Sequence, residues 1–124
     1  MSKNILLVDD EELVVRSLSR LLTIEGYSVT IARSGMEAIK KVKEGDFDLI
    51  IADVRMPELD GVETIRRIRA YLRQSNKKSI PEILITGYTD RDRYEEAVGL
   101  KVSDYLYKPF DNDKFLQIIK KNIG

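Results

Sequence analysis

The sequence predicts an α/β fold built on a parallel sheet, and two observations favour it. Five short apolar runs alternate along the chain with five longer amphipathic segments, which is the pattern of strands and helices in such folds. The apolar runs are nearly free of polar residues, as strands buried on both faces require. Because the 124 residues carry no internal repeat and no interdomain linker, we expect a single domain over residues 1–124.

The apolar runs supply the strands. Their predicted bounds are Ile5–Val8, Tyr27–Ala32, Phe47–Ala52, Ile83–Thr86 and Asp104–Tyr107. Each run has the length of an ordinary strand. The polar stretch RQSNKKSIP, residues 73–81, is expected to connect the third helix with the fourth strand.

The segments between the strands carry apolar residues at helical spacing. The predicted helices are, in order, about Glu11–Glu25 with Gly26 as its stop, the segment between a cap at Ser34 and Gly45, Val62 to about Arg73, about Asp90–Leu100, and a last helix behind Asp111. The first helix is expected to turn one face inward, formed by Leu13, Val14, Leu18, Leu21 and Leu22. The fourth helix has a weak apolar face, formed by little more than Tyr94, Ala97 and Val98.

Composition excludes several classes of function. The 21 basic and 21 acidic residues cancel, so no charge pattern indicates nucleic acid or an acidic membrane as a partner. Without cysteine or histidine, the chain has no disulfide, no Ser–His catalysis and no imidazole or thiolate metal ligands. Any bound metal must be held by oxygen, which favours Mg2+, Mn2+ or Ca2+. With no signal peptide or membrane span in the sequence, we expect a cytoplasmic protein.

Side chains that suit a metal ion and a phosphoryl group follow four of the five strands. Asp9 and Asp10 come behind the first strand, Asp53 comes behind the third, Thr86 ends the fourth and Lys108 follows the fifth. Because ligands of open α/β sheets bind beyond the carboxyl ends of the strands, we expect these side chains to converge. Mg2+ relieves the repulsion between clustered carboxylates and polarises a phosphoryl group. Asp53 would then be the nucleophile, with Thr86 donating its hydroxyl and Lys108 balancing the phosphoryl charge.

The acids also have plainer interpretations. Asp9 and Asp10 could cap the first helix, and Asp53 could serve only the turn that follows it. Glu11 and Glu12 are interpreted as first-turn charges at the positive end of the helix dipole. The joint arrangement of acids and one cation at adjacent strand ends favours the metal and phosphoryl site.

Four motifs carry a resemblance to a known family. LLVDDE, LIIADVRMPELDG, ILITGY and DYLYKPF together resemble the receiver domain of two-component response regulators of the chemotaxis-regulator type. The resemblance runs from Ile5 to the final helix. It implies a flavodoxin-like five-stranded parallel sheet in the order 2-1-3-4-5, with five helices on both faces.

The resemblance implies roles at the metal and the acceptor. Asp53 matches the phosphoacceptor, and Asp10 matches the acid that binds Mg2+, or Mn2+, directly. Asp9 would act mainly through metal-bound water. Arg55 would contribute its backbone carbonyl to the metal. Lys108 matches the phosphate-binding cation, and its bond to the following proline is usually cis in the family.

The resemblance also implies a switch. Thr86 matches the switch hydroxyl and Tyr105 the switch aromatic, so phosphorylation would remodel the surface of helix 4, strand 5 and helix 5. A sensor histidine kinase or a histidine phosphotransfer protein would donate the phosphoryl group, and a downstream protein or fused output domain would read the result. The implied protein is a signalling switch rather than an enzyme. It catalyses only its own phosphorylation and dephosphorylation, and it is a monomer or a phosphorylation-dependent dimer.

Three features depart from the family or need a local explanation. Arg55 and Tyr88 flank the acceptor and the switch threonine, and we hypothesise that they modulate the access of water to the phosphoryl group. Many receivers have Gly-Ala where this chain has Lys101 and Val102, so the end of helix 4 is expected to shift toward Gly99. Gly61 is predicted to provide a positive φ in the turn before the third helix.

Three rival functions remain in view. A Mg2+-dependent phosphatase or phosphomutase also forms an aspartyl phosphate, but it places Asp-x-Asp after the first strand, whereas Asp9 and Asp10 are adjacent. A pseudo-receiver that lacks phosphorylation would not need the full set of site residues. A flavodoxin would need a phosphate loop and a tryptophan to stack on the flavin, and the chain has neither.

Overall fold

Five strands alternate with five helices in the computed structural model, which describes residues 2–87 and 92–124. The strands are β1 (Asn4–Val8), β2 (Ser28–Ala32), β3 (Leu49–Asp53), β4 (Glu82–Thr86) and β5 (Asp104–Tyr107). The helices are α1 (Glu12–Ile24), α2 (Gly35–Glu44), α3 (Gly61–Gln74), α4 (Tyr94–Gly99) and α5 (Asn112–Ile123). The strands form one parallel sheet in the order β2-β1-β3-β4-β5. The predicted fold class and strand order are confirmed.

Side chains alternate between two layers of core, because successive residues of a strand point to opposite faces of the sheet. On one face, α1 and α5 cover the sheet; their buried contacts include Leu18, Leu22, Phe115, Ile118 and Ile119 against Ile5, Leu7, Ile51 and Ile83. On the other face, α2, α3 and α4 do so; their contacts include Val42, Ile65, Ile68 and Ala97 against Leu6, Val8, Ile50 and Leu84. Burial on both faces explains why the middle residues of the central strands β1, β3 and β4 are apolar.

Several strand boundaries differ from the prediction by one or two residues, and β1 and β4 each begin one residue earlier than predicted. Tyr27 and Phe47 lie just before β2 and β3 rather than inside them, since both side chains pack against the core without joining the ladder. At its other end β3 extends through Asp53, which pairs with Ile85 of β4. Asp53 is therefore the last residue of a strand and has the fixed position that a ladder residue has.

Capping residues fix the helix ends where the sequence placed them. The Ser34 hydroxyl accepts a hydrogen bond from Glu37 N at 3.1 Å and begins α2, and Gly45 closes it. Asp111 accepts from Lys114 N at 2.8 Å and begins α5. Such caps satisfy backbone donors that the first turn leaves without a partner.

The predicted inward faces of two helices are partly wrong. Leu13 is 80% exposed, because α1 turns Val15, Leu18 and Leu22 toward the sheet instead. In α4 only Ala97 is buried. The last residue of this helix is Gly99, in agreement with the predicted bound, but Gly99 does not replace the missing glycine, because Lys101 itself takes the left-handed conformation at φ 53°. The predicted start near residue 90 lies outside the described residues.

None of the described helices is both long and apolar enough to cross a bilayer.

Candidate metal and phosphoryl site

The site lies at the carboxyl edge of the sheet, where the chain winds from β1 to β2 on one side and to β3 on the other. Val8, the last residue of β1, pairs with Ala52, so Asp9 and Asp53 follow directly on neighbouring strands. Asp9 N also donates to Ala32 O of β2 at 3.1 Å, which fixes the turn out of β1. Ligands of open parallel sheets bind at such a reversal of winding.

Asp53 is a buried carboxylate with a partner on each oxygen. Only 1% of the residue is exposed. Its Oδ2 lies 3.0 Å from Lys108 Nζ, and its Oδ1 accepts a hydrogen bond from Arg55 N at 3.2 Å. These contacts hold the carboxylate in one orientation.

Lys108 reaches this carboxylate from the end of β5. Its backbone N donates to Thr86 O at 2.9 Å, and the bond to Pro109 is cis, as expected. Burial acts to lower the pKa of Lys108, but the hydrogen bond and charge of Asp53, helped by Asp9 and Glu11, raise it above its ordinary value. Lys108 is therefore an ammonium ion at neutral pH, as a partner for phosphoryl oxygens must be.

Asp9 is fully buried, and one of its oxygens has no partner. Its Oδ1 accepts from Glu11 N at 3.1 Å, while the buried Oδ2 has no hydrogen bond to any described residue. Burial, with the charge of Asp53 adding to it, raises the pKa of Asp9 from 3.8 to about 7. A buried charge without a partner is costly, so this carboxylate is poised to gain a cation.

Three acids in the described ranges 2–87 and 92–124 could hold a metal together. Oxygens of Asp9, Glu11 and Asp53 lie within 4.8 Å of one another. Asp10 lines the same cleft but is exposed and outside this group. These carboxylates, with the buried Oδ2 of Asp9 among their oxygens, fit Mg2+. This ion prefers oxygen ligands and usually keeps some of its own waters.

Glu11 lies with the acids of the site, whereas the interpretation of the sequence places it among the first-turn charges of α1. It precedes α1 as its N-cap but makes no capping hydrogen bond with its side chain, and its carboxylate faces the acids of the site instead. Asp9 and Asp10 do not cap α1 either, since Glu11 is its N-cap residue and the helix start has no side-chain capping hydrogen bond; Asp9 accepts from Glu11 N instead. The signal was present in the run of four acids, but that run also suits a helix start.

An open cleft of about 500 Å3 leads to the acids. Its lining residues are Asp10, Glu11, Arg55, Met56, Pro57, Gly87 and Lys108. Loops from β1, β3, β4 and β5 all contribute to this wall. The cleft therefore opens the edge of the sheet beside the predicted site residues to solvent.

The two predicted switch residues occupy β4 and β5. Thr86 is the buried last residue of β4 and pairs with Tyr107. The Tyr105 hydroxyl donates to Ala97 O at 2.8 Å and lies 3.2 Å from Val98 O. Tyr105 thus holds the carbonyl end of α4, a helix of six residues. Tyr88 lies outside the described residues.

Gly61 has a different role from the predicted one. Its φ is not positive; that conformation belongs to Glu58 in the same loop, at 65°. A Cβ on Gly61 would lie 2.2 Å from the carbonyl oxygen of Asp53, and Gly61 N donates to Val54 O at 2.8 Å. Glycine is required because the start of α3 packs directly on the backbone of Asp53.

Arg55 and Asp60 tie this region to the start of α4. The Arg55 guanidinium donates to Asp92 Oδ1 at 3.0 Å. Asp60 caps α3 by accepting from Glu63 N at 2.9 Å, and its Oδ2 lies 2.8 Å from Arg93 Nε. The loop after Asp53 is therefore linked by charge to the helix that Tyr105 holds at its other end.

The chain is similar to a known family and to several known proteins. A family model described as the response regulator receiver domain matches residues 5–120. The transcriptional regulatory protein ZraR of Klebsiella oxytoca is 40% identical over 111 residues, which cover 90% of this chain and 24% of the relative. ZraR of Escherichia coli K12 is 37% identical over 121 residues, covering 98% and 26%. The chain thus spans about a quarter of the length of these relatives. The chemotaxis protein CheY4 of Vibrio cholerae matches with a TM-score of 0.86 at 30% identity, covering 99% of this chain and 100% of that one.

Proposed function

Because the chain belongs to the response regulator receiver domain family, we propose that it accepts a phosphoryl group on Asp53 from a phosphohistidine partner, with Mg2+ at the neighbouring acids. One observation carries the proposal. Asp53 is a buried carboxylate paired with Lys108 at 3.0 Å, and it lies beside Asp9, whose Oδ2 is buried without a hydrogen bond to any described residue. A nucleophile, a cation for phosphoryl oxygens and a vacant ligand atom for a metal stand together.

The metal would be held by oxygens of this chain. Asp9, Glu11 and Asp53 offer grouped carboxylates, Asp10 lies on the cleft wall, and the backbone carbonyl of Arg55 is the remaining candidate. When bound, Mg2+ or Mn2+ supplies positive charge that neutralises the acids and draws electron density from the phosphoryl group. The raised pKa of Asp9 means that metal binding competes with a proton.

In the proposed transfer of the phosphoryl group, Asp53 is the residue that forms a covalent bond. A carboxylate oxygen of Asp53 forms a bond to phosphorus as the phosphorus–nitrogen bond of the phosphohistidine breaks, and the imidazole leaves with the electron pair. The ammonium of Lys108 moves from the carboxylate to a phosphoryl oxygen and stays charged. Water later attacks the aspartyl phosphate and returns free Asp53. The domain is a switch that turns over only its own phosphoryl group.

The output is a change in the surface of α4, β5 and α5. Thr86 lies at the end of β4 where a phosphoryl oxygen on Asp53 could accept from its hydroxyl. Movement of Thr86 would change the space beside Tyr105, whose hydroxyl holds the end of α4. The exposed apolar residues Tyr94 and Tyr107 make this surface suitable for a protein partner.

The proposed partners, a phosphodonor and an output domain or protein, are those that the family implies. The relatives are about four times longer than the matched segment, so residues 1–124 are proposed to act as one receiver domain that controls a fused output domain or a separate protein. The donor is proposed to be a sensor histidine kinase or a histidine phosphotransfer protein. The active form is proposed to be a monomer or a dimer that phosphorylation induces.

Intact mass after incubation with acetyl phosphate tests the proposal. We expect a gain of one phosphoryl group that requires Mg2+ and is absent from Asp53→Ala. Asp46→Ala is the matched control, because Asp46 is an exposed acid before β3, at the opposite edge of the sheet, and it should be phosphorylated normally. A gain that persists in Asp53→Ala, or that ignores Mg2+, would refute the assignment. Absence of any gain while Mg2+ binds would favour a pseudo-receiver.

Arg55 and Tyr88 are proposed to set the lifetime of the phosphoryl group. Arg55 lies on the wall of the cleft, where a long cationic side chain can exclude or order the attacking water. Phosphoryl lifetimes in Arg55→Asn and Tyr88→Ala should both differ from that of the parent chain, with the intact mass followed over time. Unchanged lifetimes in both variants would reject the idea.

A further inference from the structure

A second cavity lies at the opposite edge of the sheet, before β4 and β5 and beside the end of α3. Its volume is about 550 Å3. Its lining residues are Arg69, Leu72, Arg73, Lys77, Ser79, Ile80, Pro81, Glu82, Leu100, Lys101 and Ser103. We call it the basic cavity. None of its residues belongs to the phosphoryl site.

The single acid of the basic cavity is already neutralised. Glu82 is buried, and both of its oxygens accept from Arg69, Nε at 2.9 Å and Nη2 at 2.5 Å. Arg69 Nη1 donates to Leu100 O at 2.7 Å. These bonds use three of the five N–H donors of a guanidinium. Arg69 is thus fixed in position, and two donors remain for a ligand.

The other cations of the cavity have no acidic partner within the described ranges. Arg73, Lys77 and Lys101 make no ion pair with residues 2–87 or 92–124, and the Lys77 ammonium lies 5.5 Å from the centre of the Tyr71 ring. In a chain whose formal charge is zero, the cavity therefore gathers three positive charges that form no ion pair with the part of the chain that the structure describes. An anion entering it would gain from all of them.

The floor of the cavity is apolar. Leu72 and Leu100 are core residues, and Ile80 packs against the same core; Pro81 completes this side. Cavities of about 300–1,000 Å3 that combine apolar walls with a few polar groups are typical of small-molecule sites. We infer that the basic cavity binds a small amphiphilic anion, with its acidic head on Arg69 and the lysines and its apolar body on Leu72 and Ile80.

The position of Arg69 predicts which backbone atoms respond. Because Arg69 holds the carbonyl of Leu100, directly after α4, a ligand head on Arg69 would perturb the amides of Leu100 and Lys101. This inference does not depend on the proposed phosphorylation, since the two sites share no residue.

Titration of the 15N-labelled protein with three probes tests the inference. Octanoate carries both the charge and the apolar body, 1-octanol lacks the charge, and acetate lacks the body. We expect octanoate to shift the amides of Leu100, Lys101 and Ser103 in a saturable way below its micellar concentration. Acetate and 1-octanol should bind about tenfold more weakly or not at all. Equal shifts from octanoate and 1-octanol, or octanoate shifts that leave the cavity residues unaffected, would overturn it.

Variants locate the binding. The double change Lys77→Gln with Lys101→Gln should lower the affinity for octanoate about four- to tenfold. The effect is modest because each exposed charge contributes little to binding. Lys40→Gln is the control, because Lys40 is an exposed lysine on α2, away from the cavity. Ser79→Trp should block binding by filling the cavity without changing its charge. Unaltered octanoate affinity in the double variant or in Ser79→Trp would refute the site.

Discussion

Replacing Asp9 by asparagine is predicted to stabilise the metal-free protein at neutral to alkaline pH. Burial raises the pKa of Asp9 from 3.8 to about 7, so the folded protein holds a costly negative charge above that pH. Asparagine has the same shape, and its Oδ1 can still accept the Glu11 N–H that Asp9 Oδ1 accepts. It removes the charge without creating a cavity.

The magnitude follows from the linkage between protonation and folding. Each pKa unit corresponds to about 1.4 kcal/mol, and the rise from 3.8 to about 7 therefore costs the charged form about 4 kcal/mol. Above the folded pKa the full cost applies. As pH falls from about 7 toward 4, the folded protein takes up a proton before the unfolded chain does, and the cost disappears. Asp9→Asn should thus gain about 4 kcal/mol near pH 8 but only about 1 kcal/mol near pH 4.5.

Urea denaturation in the presence of a chelator measures this difference at the two pH values. Adding Mg2+ should reverse the ranking at the higher pH, because only the parent chain retains the buried carboxylate that favours the ion. Asp10→Asn is the control, since Asp10 is exposed and its loss should leave metal-free stability nearly unchanged. A variant that is no more stable than the parent near pH 8, or equally stabilised at both pH values, would refute the account of Asp9.

Three further predictions concern a close backbone contact at the site, the core under α5 and the hydrogen bond that holds α4. Gly61→Ala should destabilise the fold by about 1–3 kcal/mol, because its Cβ would lie 2.2 Å from the Asp53 carbonyl oxygen; Gly45→Ala, where a Cβ meets nothing within 4 Å, should change urea stability by less than about 0.5 kcal/mol. Phe115→Ala, in a fully buried position, should cost about 3–5 kcal/mol in the same assay, and a loss below about 1 kcal/mol would contradict the packing described. Tyr105→Phe removes the hydrogen bond to α4 at 2.8 Å, so amide exchange in that helix should quicken about fivefold, corresponding to about 1 kcal/mol; unchanged exchange would show that the bond does not anchor α4.

The convergence of the site could be predicted because it depends on regular structure. Apolar runs of strand length fix the parallel ladders, and parallel ladders bring their carboxyl ends to one edge. Asp53 and Asp9 are therefore neighbours, and Lys108 reaches Asp53 from the end of β5, although these residues are far apart in the sequence. The positions of the strands in the sequence and their order in the sheet are enough to predict that these side chains meet.

The errors come from choices that the sequence leaves open. In α1, apolar residues allow two inward faces, and Leu13 lies about 200° around the helix from Val15, at 100° per residue. Only docking against the sheet selects Val15, Leu18 and Leu22. The reason for Gly61 is a contact with the backbone of Asp53, which no local pattern encodes. Side chains at cleft edges, such as that of Glu11, depend on the same tertiary detail.

The most direct test of the central claim is to locate the phosphoryl group. The protein is treated with acetyl phosphate and Mg2+, the acyl phosphate is reduced with borohydride, and the resulting peptides are sequenced by mass spectrometry. Phosphorylation on Asp53 predicts homoserine at position 53 and unchanged aspartate at positions 9 and 10. Homoserine at either of those acids, or a phosphoryl group that resists reduction, would contradict the assignment of Asp53 as the acceptor.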